Sequence, residues 1–257
     1  MSSGAAVTAN ELLAIMGARE LRDGQAVFTG VGAPMMASVL AQRLHAPSLT
    51  IVVEGGIIGP QWKPGWLPIS TNEMRAAHGA QMMPAITDVF LMAQRGQLDV
   101  GFIGGAQIDQ YGNLNTTVIG SYERPKVRLP GSGGANDIIS LCRQVLILTA
   151  HEPRRFVDKV DFVTSPGYLT GGESRRASGL LFGGVARVVT TLGLFGFEPE
   201  SRRMRLEAVH QGVTVDQVRA STPIELLVAE HVKTTAPPTA RELEVLRSLD
   251  PSRQFIG

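Results

Sequence analysis

One carboxylate stands where an open α/β protein places its reactive groups. Glu54 directly follows the apolar run 49–53 and is itself followed by Gly55 and Gly56. Such a run is typical of a buried strand, and ligands of open parallel sheets bind beyond the carboxyl ends of strands. The two glycines allow a ligand close to the backbone, because they carry no Cβ. Taken alone, the pattern also fits a carboxylate that caps a helix or pairs with a surface arginine.

Two glycine-rich segments are further candidates. Gly104 and Gly105 follow the apolar run 100–103, where paired glycines either aim backbone N–H groups at a developing oxyanion or form an ordinary tight turn. Residues 131–136 read GSGGAN and lead into a helical pattern. That arrangement suits a phosphate or a thioester oxygen, and a flexible loop is the alternative. The spacing is not G-x-G-x-x-G, which disfavours a nicotinamide-binding module.

The remaining polar candidates indicate no metal site and no permanently bound cofactor. The five histidines are scattered, without the spacing of a ligand pair, and we expect them to be structural or exposed. Arg154 and Arg155 either neutralise a substrate carboxylate or lie on a solvated face. Cys142, in an apolar helical context, is expected in the core.

The elements around these residues alternate as β, α, β, which predicts an open, mostly parallel sheet flanked by helices. We predict strands over 26–30, 49–53, 100–103, 145–149 and 160–163. We predict helices over 10–20, 35–44 and 84–94. Residues 59–70 resemble a long functional loop. After residue 185 we predict a β-hairpin (186–197 and 204–210) packed on the main sheet, then helices over 215–220 and 239–249. We find no boundary, so residues 1–257 are expected to form one domain.

Composition excludes several classes of function. The formal net charge is +1, which gives no electrostatic reason for binding nucleic acid or an anionic membrane. No uncharged apolar run reaches the roughly 18 residues of a membrane span, and the N-terminus lacks the pattern of a signal peptide. Cys142 is the only cysteine, so no intrachain disulfide forms. We therefore expect a cytoplasmic protein.

The three glycine-rich segments, in this order, resemble the family I CoA-transferases, with the closest likeness to the β subunit of the glutaconate branch. The likeness extends from about residue 10 to the C-terminal DPSRQFI. Its most specific blocks are VEGG at 53–56, FIGGAQIDQYGNLNTTVIGS at 102–121, GSGGAN at 131–136 and HEPRRFVDKVDFVTSPG at 151–167.

This resemblance implies a function for each segment. It makes Glu54 the catalytic nucleophile and puts Gly104, Gly105 and Ala106 by the oxyanion. It assigns Gly133, Gly134, Ala135 and Asn136 to the CoA-facing pocket. It also implies an α-type partner subunit, with the active site between the two chains, and a CoA thioester and a carboxylic acid as substrates. Relatives often carry Asn or Ser after the glutamate, so Gly55 predicts the loss of a side-chain hydrogen bond.

The resemblance leaves three functions open. In the leading one, Glu54 must be ionised and attacks an acyl-CoA, and CoA passes to a second acid by a ping-pong exchange through a glutamyl-CoA thioester. The acid is glutaconate-like or another short or dicarboxylic acid. In the second, Glu54 is the general base of an acyl-CoA hydrolase or decarboxylase. In the third, this chain is a non-catalytic partner.

Overall fold

The computed structural model describes residues 6–180 and 182–257. The thirteen strands are β1 (Ala26–Phe28), β2 (Thr50–Val53), β3 (Ile57–Ile58), β4 (Val100–Ile103), β5 (Gln107–Ile108), β6 (Leu114–Asn115), β7 (Val118–Gly120), β8 (Pro125–Arg128), β9 (Gln144–Thr149), β10 (Val185–Thr190), β11 (Gly193–Phe197), β12 (Met204–Val209) and β13 (Leu227–Thr234). The helices are α1 (Ala9–Arg19), α2 (Ala33–Leu44), α3 (Ile86–Gln94), α4 (Ala135–Leu141), α5 (Ser174–Ala177), α6 (Val215–Ala220) and α7 (Ala240–Leu249).

The central sheet has nine strands in the order β13-β12-β11-β10-β9-β4-β1-β2-β3. Its middle is parallel, from β2 through β1, β4 and β9 to β10. Strands β3 and β11 run antiparallel to their neighbours. The predicted open, mostly parallel sheet is confirmed. Because the five central strands share one direction, their carboxyl ends lie along one edge, and this edge carries the candidate site.

Helices cover both faces of the parallel strands, which explains why these strands are largely apolar. One core cluster joins the sheet to α1, α2 and α7 through residues such as Leu40, Ile51 and Leu246. The other joins the opposite face to α3, α4 and α6 through residues such as Val89, Ile139 and Val218. Val27 and Phe28 belong to different clusters, as the two-residue period of a strand requires.

Two sequence predictions differ from the structure. The predicted hairpin over 186–210 forms as β10, β11 and β12, but it extends the main sheet instead of packing on it. The strand predicted over 160–163 is wrong: this stretch is irregular, and Phe162 and Val163 are exposed. The two positions beside β9, where such a strand would pair, are filled by β4 and β10. Strand β13, at the sheet edge, was not predicted.

The two ends of the described chain are joined by partly buried ion pairs. Glu11 in α1 is fully buried and pairs with Arg247 in α7. Arg19, in the last turn of α1, pairs with Glu242 through two hydrogen bonds of 2.7 Å. No helix in the described residues has the length and apolar character that a membrane crossing requires.

Candidate active site

Glu54 lies in the tight turn that joins β2 to β3. Val53 pairs with Ile57, so the turn consists of Glu54, Gly55 and Gly56 alone. Gly56 has a φ of +85°, and a Cβ on it would lie 2.0 Å from the carbonyl oxygen of Pro84. Only glycine fits this position. The turn therefore fixes Glu54 at the carboxyl end of β2, where the sequence predicts it.

Gly55 is required for a different reason. A Cβ built on it would lie 2.5 Å from Oδ1 of Asn72 and 2.6 Å from the carbonyl oxygen of Thr71. The loop at 71–72 therefore folds directly over the residue after Glu54. The space beside Gly55 that a side chain would fill is already occupied by the side-chain amide of Asn72. No pattern in the sequence indicates this contact.

The Glu54 carboxylate is brought against the third glycine-rich segment. A Cβ on Gly134 would lie 2.7 Å from Oε1 of Glu54 and 3.0 Å from Cζ of Phe90. Gly134 immediately precedes α4, and Phe90 belongs to α3, where its ring lies 5.8 Å from that of Phe28. The fold thus joins Glu54 to the GSGGAN segment, and Phe90 is a neighbour that sequence reasoning missed.

The polar surroundings of Glu54 exclude two ordinary structural roles for it, as the cap of a helix and as the partner of a surface arginine. In residues 6–180 and 182–257, no donor forms a hydrogen bond to its carboxylate and no cation forms an ion pair with it. It caps no described helix and pairs with no described arginine. The side chain is half-buried. Both oxygens therefore keep their lone pairs available for a substrate.

Gly104 and Gly105 follow β4 at the same edge of the sheet, with β1 between β4 and β2. The N–H groups of these two glycines have no hydrogen-bond partner in the described chain. The N–H of Ala106 instead donates to the carbonyl of Asn115 at 2.9 Å. The Gly105 carbonyl accepts from Nη1 of Arg155 at 3.1 Å. Free donors are thus present at Gly104 and Gly105, whereas that of Ala106 is in use.

The side chain of Asn136 is also occupied within the protein. Its Nδ2 donates to the carbonyl of Thr164 at 3.1 Å, and its Oδ1 accepts from Ser140. This contact holds the start of α4 against the loop at 164. Ala135 and Gly133 follow and precede Gly134, so they lie beside the contact with Glu54, and Gly133 is exposed. The roles assigned to these residues and to Asn136 stay predictions.

Two histidines are held within the fold by hydrogen bonds from their ring nitrogens. His151 stacks on Phe156 at 4.4 Å, and its ring nitrogens contact the hydroxyls of Thr190 and Thr222. Burial lowers the pKa of His151 to about 4. Burial likewise lowers the pKa of His210. In the described part of the chain, no three His, Cys, Asp or Glu side chains are grouped to hold a metal ion.

Comparison with known proteins identifies the family of this chain. The model of the family described as Coenzyme A transferase matches residues 10–221. The chain belongs to the coenzyme A transferase family. It is 41% identical over 246 residues to the B-type subunit of the 3-oxoadipate CoA-transferase of Pseudomonas knackmussii, a match that covers 95% of this chain and 94% of that protein. Within the coenzyme A transferase family it is therefore a B-type chain.

Solved structures of family relatives share the whole fold. Glutaconate coenzyme A-transferase from Acidaminococcus fermentans superposes with a TM-score of 0.88 at 32% identity, over 96% of both chains. The decarboxylase AibA/AibB superposes with a TM-score of 0.82 at 26% identity, over 97% of this chain and 98% of the other. The predicted resemblance to family I CoA-transferases is confirmed. The decarboxylase shows that the same fold also supports other chemistry.

Proposed function

We propose that this chain carries the nucleophilic carboxylate of a CoA-transferase and that Glu54 is this carboxylate. The observation that carries the proposal is the state of Glu54: it is fixed at a strand end, and neither donors nor cations in the described chain occupy its oxygens. A carboxylate is suited to the task because its acyl adduct is an anhydride, which keeps the thioester's energy for the next step.

The proposed reaction conserves that energy in two exchanges. An oxygen of Glu54 attacks the thioester carbonyl of an acyl-CoA, the C–S bond breaks, and CoA leaves as its thiolate. The thiolate attacks the Glu54 carbonyl of the anhydride, which releases the first acid as a carboxylate and leaves a glutamyl-CoA thioester. A second carboxylate attacks this thioester, and the same two steps in reverse produce the new acyl-CoA and free Glu54.

Each attack creates a tetrahedral oxyanion that needs hydrogen-bond donors. The N–H groups of Gly104 and Gly105, unpaired within the described chain, support a role as those donors, because they lie at the same sheet edge as Glu54. Loss of one such donor typically slows an enzyme about 10²- to 10³-fold. The proximity of Gly134 to Glu54 supports an approach of the CoA thioester along the GSGGAN segment.

We propose a short dicarboxylic acyl group as substrate and an A-type subunit as partner. The names of two relatives, 3-oxoadipate and glutaconate CoA-transferase, support the former. The latter is supported by three exposed methionines next to the segments that pack on the Glu54 turn. Met82 and Met83, just before Pro84, are 57% and 66% exposed, and Met74, just after the loop at 71–72, is 84% exposed. Large exposed apolar side chains mark interfaces, and a covering subunit would keep water from the anhydride. Copurification of the two chains, weakened by Met83→Asp but not by Val7→Asp, tests this interface.

A second function is favoured by the likeness to the decarboxylase AibA/AibB, in which case Glu54 would act as a base without a covalent adduct. One experiment separates the two. The chain, copurified with its A-type partner, is incubated with glutaconyl-CoA or 3-oxoadipyl-CoA without acceptor acid, and its intact mass is measured.

Transfer predicts a CoA-sized mass gain that maps to Glu54. The gain is absent in Glu54→Gln and present in Glu123→Gln, a matched change of an exposed carboxylate. Turnover of the acyl-CoA with no adduct would contradict the covalent mechanism and support the second function. Full activity of the Glu54→Gln complex would show that the partner carries the chemistry.

A further inference from the structure

The arginine pair at 154–155 lies in two different environments. Arg154 is 80% exposed and pairs with the carboxylate of Glu152. Arg155 is 28% exposed and also contacts Glu152, but its Nη1 donates to the carbonyl oxygen of Gly105. One arginine thus faces solvent while its neighbour reaches the glycine pair that follows β4.

The segment that carries Arg155 is firmly anchored on both sides. Before it, His151 is stacked on Phe156 and held by the hydroxyls of Thr190 and Thr222. After it, Phe156 is buried and forms a bridge with Ile108. Glu152 holds the guanidinium itself, through Nε at 3.2 Å. The position of the Arg155 donor is therefore set by the core and not by a free side chain.

The peptide that Arg155 contacts is held at its other end as well. The carbonyl belongs to Gly105, and the N–H of the same peptide, on Ala106, donates to the carbonyl of Asn115. Two hydrogen bonds on opposite sides fix the plane of this peptide. Glycines have the largest backbone freedom, so without such bonds Gly104 and Gly105 would sample many orientations. With them, the Gly105–Ala106 peptide is fixed on one side of the two glycines, and strand β4, which ends at Ile103, precedes them on the other.

We propose that Arg155 is a positioning residue, which, held by Glu152, orients the backbone N–H groups of Gly104 and Gly105 toward the oxyanions formed at Glu54. This proposal rests on the proposed function. The guanidinium acts through the Gly105 carbonyl, so it is not expected to touch the substrate. It gives Arg155 a role other than that of a substrate-carboxylate binder: its Nη1 is directed at the protein backbone and its Nε at Glu152.

The test compares three variants in the complex with the A-type partner. Arg155→Met removes the donors and keeps much of the side-chain length, and Arg155→Lys restores one donor. Arg154→Met is the matched control, because it removes the same charge from the same Glu152. The readouts are the single-turnover rate of the glutamyl-CoA adduct, KM for the acyl-CoA, and hydrogen–deuterium exchange of a peptide that spans residues 103–108.

Arg155→Met should lower the rate of adduct formation about 10- to 100-fold. Backbone N–H groups that point in the wrong direction stabilise the oxyanion less, but the loss is smaller than if a donor were removed entirely. KM should stay within about threefold, and exchange over 103–108 should rise. The adduct rate of Arg155→Lys should lie between the rates of Arg155→Met and wild type. Arg154→Met should match wild type in all three readouts.

Three results would overturn the proposal: an Arg155→Met adduct rate equal to wild type, an equal loss in Arg154→Met, or a raised KM with unchanged rate. The last would show a substrate-binding role instead. The proposed function is tested separately, by measuring adduct formation in the wild-type complex before any variant is compared. If that complex forms no adduct, the covalent function fails and the role of Arg155 fails with it.

Discussion

The contact between Gly134 and Glu54 gives the sharpest prediction about this site. Gly134 has φ −81° and ψ 0°, angles that alanine also adopts, so Gly134→Ala meets no backbone obstacle. The new methyl would nevertheless lie 2.7 Å from Oε1 of Glu54 and 3.0 Å from Cζ of Phe90. The substitution therefore moves the carboxylate without changing its chemistry.

The size of the effect follows from these distances. An uncharged carbon and an oxygen in contact are separated by about 3.2 Å or more, so the carboxylate must retreat by roughly half an ångström. A misplacement of about 1 Å can cost about 10²-fold in rate, so we expect kcat to fall roughly 10-fold and not more than about 100-fold. Stability should change little, because a compatible Gly→Ala change stabilises by about 0.4–1 kcal/mol and loss of a glycine N-cap offsets a similar amount.

The assay is steady-state transfer between an acyl-CoA and a free acid by the two-subunit complex, together with thermal unfolding. Gly17→Ala in α1 is the matched control: its methyl is also crowded, at 3.1 Å from Cδ1 of Leu148 and 3.3 Å from Cβ of Ala37, but Glu54 is not among its nearest atoms. The control should keep kcat within about threefold. A Gly134→Ala enzyme with wild-type kcat would refute the inference that this glycine sets the carboxylate position.

Two further changes test the surroundings. Gly55→Ser should lower both activity and the unfolding temperature, because its Cβ would collide with the Thr71 backbone and with Asn72; unchanged melting in a thermal scan would contradict this packing. Burial alone would raise the pKa of Glu242, but the bonds from Arg19 and Thr239 bring it to about 2. Because this pKa lies below the unfolded value of 4.5, the resulting stability is present near neutrality and is lost as pH falls from about 4.5 toward 2. Urea unfolding followed by circular dichroism should show that Glu242→Gln is less stable than wild type at about pH 7 and that its stability falls less as the pH is lowered. If the free energy of unfolding changes equally with pH in the variant and in wild type, the Arg19–Glu242 pair does not contribute this stability.

The parallel strands β1, β2, β4 and β9 and the helices α1 to α3 were predictable because each carries its own local signal, whereas the short strands β3 and β5 to β8 were not predicted. The apolar runs before Glu54 and Gly104 are buried on both faces, and such runs mark parallel strands. The run at 160–163 has the same local signal but no free neighbour in the sheet. Strand β13 does form but lacks the local signal. As an edge strand it exposes Glu230, His231 and Lys233, so its sequence mixes apolar and charged residues.

The site was predictable only in its parts. Glu54 and the glycines were identified because their residue types and strand-end positions have chemical meaning. Their contacts were not, since these depend on how distant segments pack. No spacing places Gly134 on the Glu54 carboxylate, Asn72 on Gly55, or Arg155 on the Gly105 carbonyl. These contacts arise where loops from different crossovers meet at the edge of the sheet.

The glycines around Glu54 share one physical role, and it explains how a nucleophile is held without being blocked. A carboxylate is usually fixed by hydrogen bonds or by a cation, but those partners occupy the lone pairs that must attack. Here the restraint is steric: Gly56 lets Pro84 approach the turn, Gly55 lets the loop at 71–72 close over it, and Gly134 lies against the carboxylate itself. Close approach of backbone atoms confines Glu54 while both oxygens stay free of partners from the described chain. A Cβ at Gly134 would therefore disturb catalysis by displacing the carboxylate itself, whereas a Cβ at Gly55 or Gly56 would also displace the backbone that packs on the turn.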